Sequence, residues 1–304
     1  MRKNFLKLIL MIFLISFLIG IPSFAQNHLI IGIQDSIQQE ILGQIVGTYL
    51  EENGFEVEYR MSLSNSSLYS ALAQKQVDLS YQDPALVWFL KYLKTDFLSS
   101  EELYKEVKEL EKKEGLLWFE MPNLKIRYVL VIRMEKSEEL KIMTISELAD
   151  YVRKNQKKFR SAMSSEFFFR PDCYFNLKRV YGLSFYKPNV KLVSPAVGFG
   201  LLCRDQVDVV FAFSTDPLIE KYKLNKLKDD KEVLQSYCMG IVVREKIIDM
   251  FPDLPGLIDK LSKISLPTSE LTNLNLRIYN GESSKEVARE YLIKEGLIVK
   301  FEKE

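Results

Sequence analysis

Histidine is almost missing from this chain of 304 residues: His28 is its single copy. That removes the commonest general base and the commonest metal ligand, and with them histidine-based acid–base or nucleophilic catalysis. Cysteine is scarce as well. Cys173, Cys203 and Cys238 are an odd number at long spacing, with no metal-binding pattern. One disulfide with one free thiol is compatible with that count, and sequence does not say which pair would form. There is no glycine-rich phosphate loop and no low-complexity tract. Beyond the first 25 residues no apolar run reaches the roughly 20 residues that span a bilayer. Charge of neither sign is in excess, with 42 basic against 41 acidic residues, which argues against a nucleic-acid partner.

What is present begins with a leader. Arg2, Lys3 and Lys7 precede a short apolar run, and Ser23-Phe24-Ala25 offers small residues for cleavage. Residues 1–25 therefore read as a secretory signal peptide, with no cysteine at the cut to carry a lipid. The expected location is the periplasm. Losing those three cations leaves 39 basic against 41 acidic residues. The remaining length suits two domains.

The pattern that organises the chain occurs twice. Gln76-Val77-Asp78 leads through an apolar stretch to Asp83-Pro84, and Gln206-Val207-Asp208 leads through another to Asp216-Pro217. Each copy follows an amphipathic run and reads as helix, buried strand and turn into a new helix. Asp before Pro is a helix start, because the carboxylate accepts free N–H groups and Pro suits the first helical position. Two copies half a chain apart predict two α/β lobes, with a ligand held where strands end and helices begin.

In chain order, His28–Ile33, Phe55–Met61, Tyr128–Arg133, Lys191–Val193 and Met239–Arg244 read as strands. Ile37–Glu52, Ser99–Glu114, Tyr174–Tyr181 and four segments after Ile247 read as helices. Leu116–Phe119 is a short apolar run and Leu224–Asp230 a charged connection. Lys157, Lys158 and Arg160 read as surface. Crossings near residues 127 and 235 predict a discontinuous first lobe, 27–127 plus 236–304, and a second lobe, 128–235, joined by a two-strand hinge. The dense group Phe167-Phe168-Phe169-Arg170-Pro171-Asp172 is unusual. Asp172 offers Arg170 a purely structural partner, and the cleft offers it a ligand.

The order of several motifs resembles the osmoprotectant class of ABC-transporter binding proteins for glycine betaine, carnitine and choline. The resemblance is carried by Gln39-Glu40-Ile41-Leu42-Gly43, Glu52-Asn53-Gly54-Phe55, Phe169-Arg170-Pro171-Asp172, Ser214-Thr215-Asp216 and Glu286-Val287-Ala288-Arg289-Glu290-Tyr291-Leu292. It implies a type 2 periplasmic binding protein, monomeric and without cofactor or catalytic activity. Such a protein delivers a small quaternary amine to a membrane permease and its ATPase. It also implies a site in which aromatic faces hold a methylated cation, each contact contributing about 0.5–2 kcal/mol. Tyr128 matches a cage tyrosine, and Arg170 the arginine of the family's arginine–proline–aspartate motif. Phe199 and Phe213 stand where tyrosine is usual, although Phe199 shares a helix with Val197 and Leu202 in a spacing that also fits core packing. Thr215 follows Phe213 into the same turn. Asp83 replaces a ring, Gln34 a lysine, and Asn65 a threonine. Tyr81 and Trp88 are nearby rings that could stand in for the lost one. A lost lysine and a gained aspartate favour a ligand more cationic than glycine betaine.

Overall fold

The computed structural model describes residues 27–155, 157–264 and 266–299, excepting the side chains at positions 62, 63, 65, 66, 122 and 123. The expected signal segment, 1–25, lies outside the described residues, as does the side chain of Asn65. No helix among the described residues is long and apolar enough to cross a membrane.

Two five-stranded sheets share one plan. The first contains β1 (His28–Gln34), β2 (Glu56–Leu63), β3 (Leu79–Gln82), β4 (Leu116–Ile126) and β10 (Tyr237–Arg244). The second contains β5 (Tyr128–Ile132), β6 (Ser161–Met163), β7 (Val190–Leu192), β8 (Val209–Phe213) and β9 (Asn225–Lys226). The orders are β2-β1-β3-β10-β4 and β7-β6-β8-β5-β9. In each, three parallel strands are followed by one antiparallel strand, β10 or β5, whose own outer neighbour is antiparallel to it. The chain leaves the first sheet at Arg127 and returns between Lys226 and Tyr237. The run from Leu116 is a longer strand than its apolar start suggested, because it pairs with β10 from Arg244 to Tyr237. The charged connection contains the edge strand β9, paired to β5.

Local chemistry explains the elements nearest the cleft. Helix α1 (Ile37–Glu52) starts at Ser36, whose hydroxyl accepts the Gln39 N–H at 3.2 Å. It lies flat on β1 and β2 because Gly43 and Gly47 carry no side chain. A Cβ on Gly47 would stand 2.1 Å from the Tyr59 hydroxyl. Helix α14 (Ser284–Lys294) packs on α1 and contributes Tyr291 and Leu292 to the first core, beside Ile41, Ile45 and Leu79. Burying such a side chain stabilises the fold by about 1.5–3 kcal/mol each.

The repeated Gln-Val-Asp triplets turn out to be matched clamps. Asp78 accepts the Ile30 N–H at 2.8 Å, tying β3 to β1. Asp208 accepts the Arg160 N–H at 2.7 Å, tying β8 to β6. Each clamp is closed by the arginine that ends the antiparallel strand. Arg244 donates to the Val77 carbonyl at 3.0 Å, and Arg133 to the Val207 carbonyl at 3.1 Å. Arg160, expected to be a surface cation, instead grips Asp208 with its side chain at 2.9 Å.

Two expectations about rings are corrected here. Phe199, on α9 (Pro195–Cys203), is fully buried against Leu202, Val210 and Ala212 in the second lobe and does not reach the cleft. Trp88 packs among Leu103, Tyr104 and Trp118 in the first lobe. The helix expected from Tyr174 begins at Asn176, because a wide π turn occupies Pro171–Phe175. None of the three cysteines is paired.

Candidate functional site

The cleft lies where β3, β8 and the two crossing segments meet. Its water-accessible interior is about 40 Å³, room for a few waters. Asp83, at the end of β3, accepts the Ala85 N–H at 2.9 Å and caps the short helix α3 (Pro84–Leu86). Its other oxygen accepts from Arg170 Nη1 at 2.8 Å. Asp83 stands on the first lobe and Arg170 on the second, so this ion pair spans the cleft. The capping role and the cleft-facing role of Asp83 are held together.

Arg170 follows α7 (Ser165–Phe169) and has an extended backbone, as a residue before proline should. Its guanidinium is almost completely buried, at 1% exposure. Nε and Nη2 grip the two oxygens of Asp172 at 3.0 and 2.8 Å, a bidentate pair. Nη1 also reaches Glu166 at 3.1 Å. Burial opposes the Arg170 charge. Cys173 would favour it only as a thiolate, which the thiol's own burial prevents, so Asp172 and Asp83 keep the guanidinium ionised.

The aromatic wall belongs to the second lobe. Tyr128 opens β5 and stacks on Phe213, which ends β8, with ring centroids 4.5 Å apart. Phe167 meets the Tyr128 ring edge-on at 4.7 Å. The Tyr128 hydroxyl donates to Glu166 at 3.0 Å, and burial pushes its pKa well up, so it stays protonated. Tyr237 faces the same cluster from the start of β10; burial, then the nearby Asp172 charge, raise its pKa as well.

The expected residues are thus divided. Asp83, Tyr128, Arg170, Phe213 and Gln34 all line the cavity. Thr215 does not line it; fully buried, it donates to the Gln38 side-chain carbonyl, and its own carbonyl accepts from Asn275 at 3.0 Å. It therefore docks the end of β8 onto the first lobe, behind Gln38, which does line the cavity. Tyr81 touches the cavity while packing into the first core near Tyr291. Glu166, Gln38 and Tyr237 were not anticipated. A signal existed for Tyr237: it opens its crossing strand as Tyr128 opens the other.

The second lobe offers the faces of Tyr128 and Phe213 together with Glu166 and Asp172, and the first offers Asp83 and the ring of Tyr237. Three carboxylates, Asp83, Glu166 and Asp172, surround one guanidinium, with Arg127 exposed at the rim.

Comparison with known proteins places nearly the whole described chain in one family. A family model described as the substrate binding domain of an ABC-type glycine betaine transport system matches residues 27–294. A glycine-betaine-binding protein of Pseudomonas aeruginosa is 25% identical over 268 residues, 86% of each chain. A carnitine transport binding protein of Listeria monocytogenes is 24% identical, covering 90% of this chain and 91% of its own. An ergothioneine transport permease/binding protein of Helicobacter pylori is 27% identical over 90% of this chain, which spans 48% of that longer protein. Among solved structures, a glycine betaine/carnitine/choline ABC transporter protein superposes with a TM-score of 0.70 at 22% identity, over 88% of this chain and 99% of its own.

Proposed function

The chain belongs to the family of substrate-binding domains of ABC-type glycine betaine transport systems, and on that premise we propose that it captures a small cationic amine, choline-like in charge, between its lobes. The fold is that of a two-lobed type 2 periplasmic binding protein, and the protein is the solute-binding component of an ABC importer. Which solute it prefers is a matter of the cleft's own charges.

One observation carries the reading. Arg170, the buried cation of the cleft, is already gripped by Asp172 and paired with Asp83, which among the described residues leaves only the exposed Arg127 at the rim for a ligand carboxylate. A zwitterion whose carboxylate sought Arg170 would have to displace one of these pairs. A cation without a carboxylate needs only to part Asp83 from Arg170 and take the guanidinium's place beside that oxygen. Its methylated head would then lie against Tyr128, Phe213 and Tyr237, where ring faces attract a charge that cannot donate hydrogen bonds. The exchange of one cation for another at Asp83 leaves no buried carboxylate unpaired, which would otherwise be costly.

In the same reading the lobes are 27–127 plus 236–304 and 128–235, a division supported by which segments share a sheet. The mature protein is a monomer, released to the periplasm by cleavage of its signal peptide. It is a carrier without catalytic activity, and it docks on a permease powered by an ATPase.

Calorimetric titration with choline, glycine betaine, carnitine and ergothioneine tests the proposal. Choline should bind tightest. Tighter binding of glycine betaine or carnitine would overturn it.

A further inference from the structure

A second recess, of about 970 Å³, lies across the crossing segments from the Arg170 cluster. Arg127, Tyr128, Leu234 and Gln235 line both spaces, so the crossings form the partition between them. Four cations surround this recess: Lys125 at the end of β4, Arg127 in the crossing, and Lys226 and Lys228 in and after β9. Lys226 approaches Glu220 at 3.6 Å, while Lys125, Arg127 and Lys228 have no ion pair among the described residues.

Two acids also line it, Asp229 and Glu232. Asp229 is committed elsewhere, accepting from the Tyr181 hydroxyl and from the Leu234 N–H at 2.7 Å. The balance is positive. One wall is formed at Thr268, the first residue of the 12-residue helix α13 (Thr268–Tyr279), whose N-cap, Pro267, supplies no side-chain hydrogen bond. Free N–H groups there add to the positive potential made by the cations.

We propose that this recess is a binding site for a tetrahedral oxyanion of the phosphate class. Four exposed cations and the hydroxyl residues Ser214, Ser236 and Thr268 line this one recess, which suits an ion with several acceptor oxygens, each able to take charge-assisted hydrogen bonds. Lys125 is carried by the first sheet and Lys226 by the second, so a bound oxyanion ties the lobes together from behind. It also contacts the segment that carries Tyr128, which gives it a route to the front cavity. This inference stands independently of the solute assigned to that cavity.

The test uses the mature full-length protein and sodium pyrophosphate as probe. Isothermal titration at low ionic strength should give saturable binding with one site. The Lys125→Ala/Lys228→Ala double variant should lose about tenfold or more in affinity while keeping its melting temperature. Flotation with vesicles containing phosphatidylglycerol separates the sources of the anion. Vesicle binding that the same variant loses assigns the site to a lipid phosphate, and binding of pyrophosphate alone assigns it to a free oxyanion. No saturable binding to either probe, or binding that the double variant retains in full, would overturn the proposal.

Discussion

The two copies of the repeat agree up to a point and then diverge, and the divergence marks the site. Asp78 and Asp208 hold the same kind of backbone N–H, and Arg244 and Arg133 close the same kind of clamp. From there the first copy reaches its Asp-Pro in five residues, at Asp83, and the second takes eight, to Asp216. The extra length places Phe213 where the first copy has Asp83. It also adds Thr215, which docks on the opposite lobe. The partner strands follow suit: Tyr128 pairs with Phe213, whereas Met239 lies one step beyond the Gln82–Gly240 pair, beside Asp83. Identical scaffolds thus present an aromatic wall from one lobe and an acid from the other. A ligand between them should be apolar on its surface and positive overall.

The Asp-Pro pair extends the comparison. Both aspartates cap a helix, Asp83 through Ala85 and Asp216 through Leu218 at 3.0 Å. Asp83 has Arg170. Among the described residues Asp216 has no such cation, and burial pushes its pKa up to about 6 despite the Leu218 N–H. One capping carboxylate is recruited to the cleft, and the other is a local burden on stability.

The largest expected effect comes from removing the charge that three carboxylates share. Arg170→Met should cost about 3–5 kcal/mol in urea unfolding, the usual result of leaving buried charges unpaired. A loss under about 1 kcal/mol would mean that water, not Arg170, compensates the cluster.

Next in size is the unpartnered cap. Because the folded Asp216 carboxyl holds its proton more tightly than the unfolded one, its contribution is favourable at acid pH. That contribution is lost as pH rises from about 3.8 through about 6. Asp216→Asn keeps the cap and removes the titration. It should raise stability by about 1–3 kcal/mol at pH 7.5, the lower end allowing for partial exposure, and by nothing at pH 3.5. Equal gains at both pH values would sink the electrostatic explanation.

Phe213 and Phe199 separate cavity from core. Phe213→Leu should weaken solute binding by about 2- to 30-fold, the range of one aromatic contact with a cation. Phe199→Leu should leave affinity unchanged and lower stability by about 1 kcal/mol. Reversal of the two outcomes, read by calorimetry and by thermal unfolding, would place the site on the other face of β8.

Much of this is legible in the sequence. The repeat exposed both sheets, and its ends pointed to Asp83 and Phe213. The Phe-Phe-Phe-Arg-Pro-Asp group supplied Arg170 together with its structural partner Asp172. Phe199 was read wrongly by analogy although its spacing with Leu202 pointed to the core; local periodicity was the better guide there. Tyr237 and Gln38 were missed for a different reason. Each enters the cavity only through long-range pairing, β10 returning to the first sheet and α1 leaning on the end of β8. No short-range pattern encodes such a meeting for Gln38, whereas Tyr237 carries one signal, its place at the start of a crossing strand like that of Tyr128. Arg160 looked like surface for the same reason: its partner, Asp208, is 48 residues away.

Selection of a cation by Asp83 is tested most directly by Asp83→Asn, because asparagine caps a helix as well as aspartate does. Choline and glycine betaine would be titrated into both proteins under the same conditions. Choline should lose about tenfold or more in affinity, as when a partly buried charge partner is neutralised, and its advantage over glycine betaine should disappear. An unchanged ratio of the two affinities would contradict selection by Asp83.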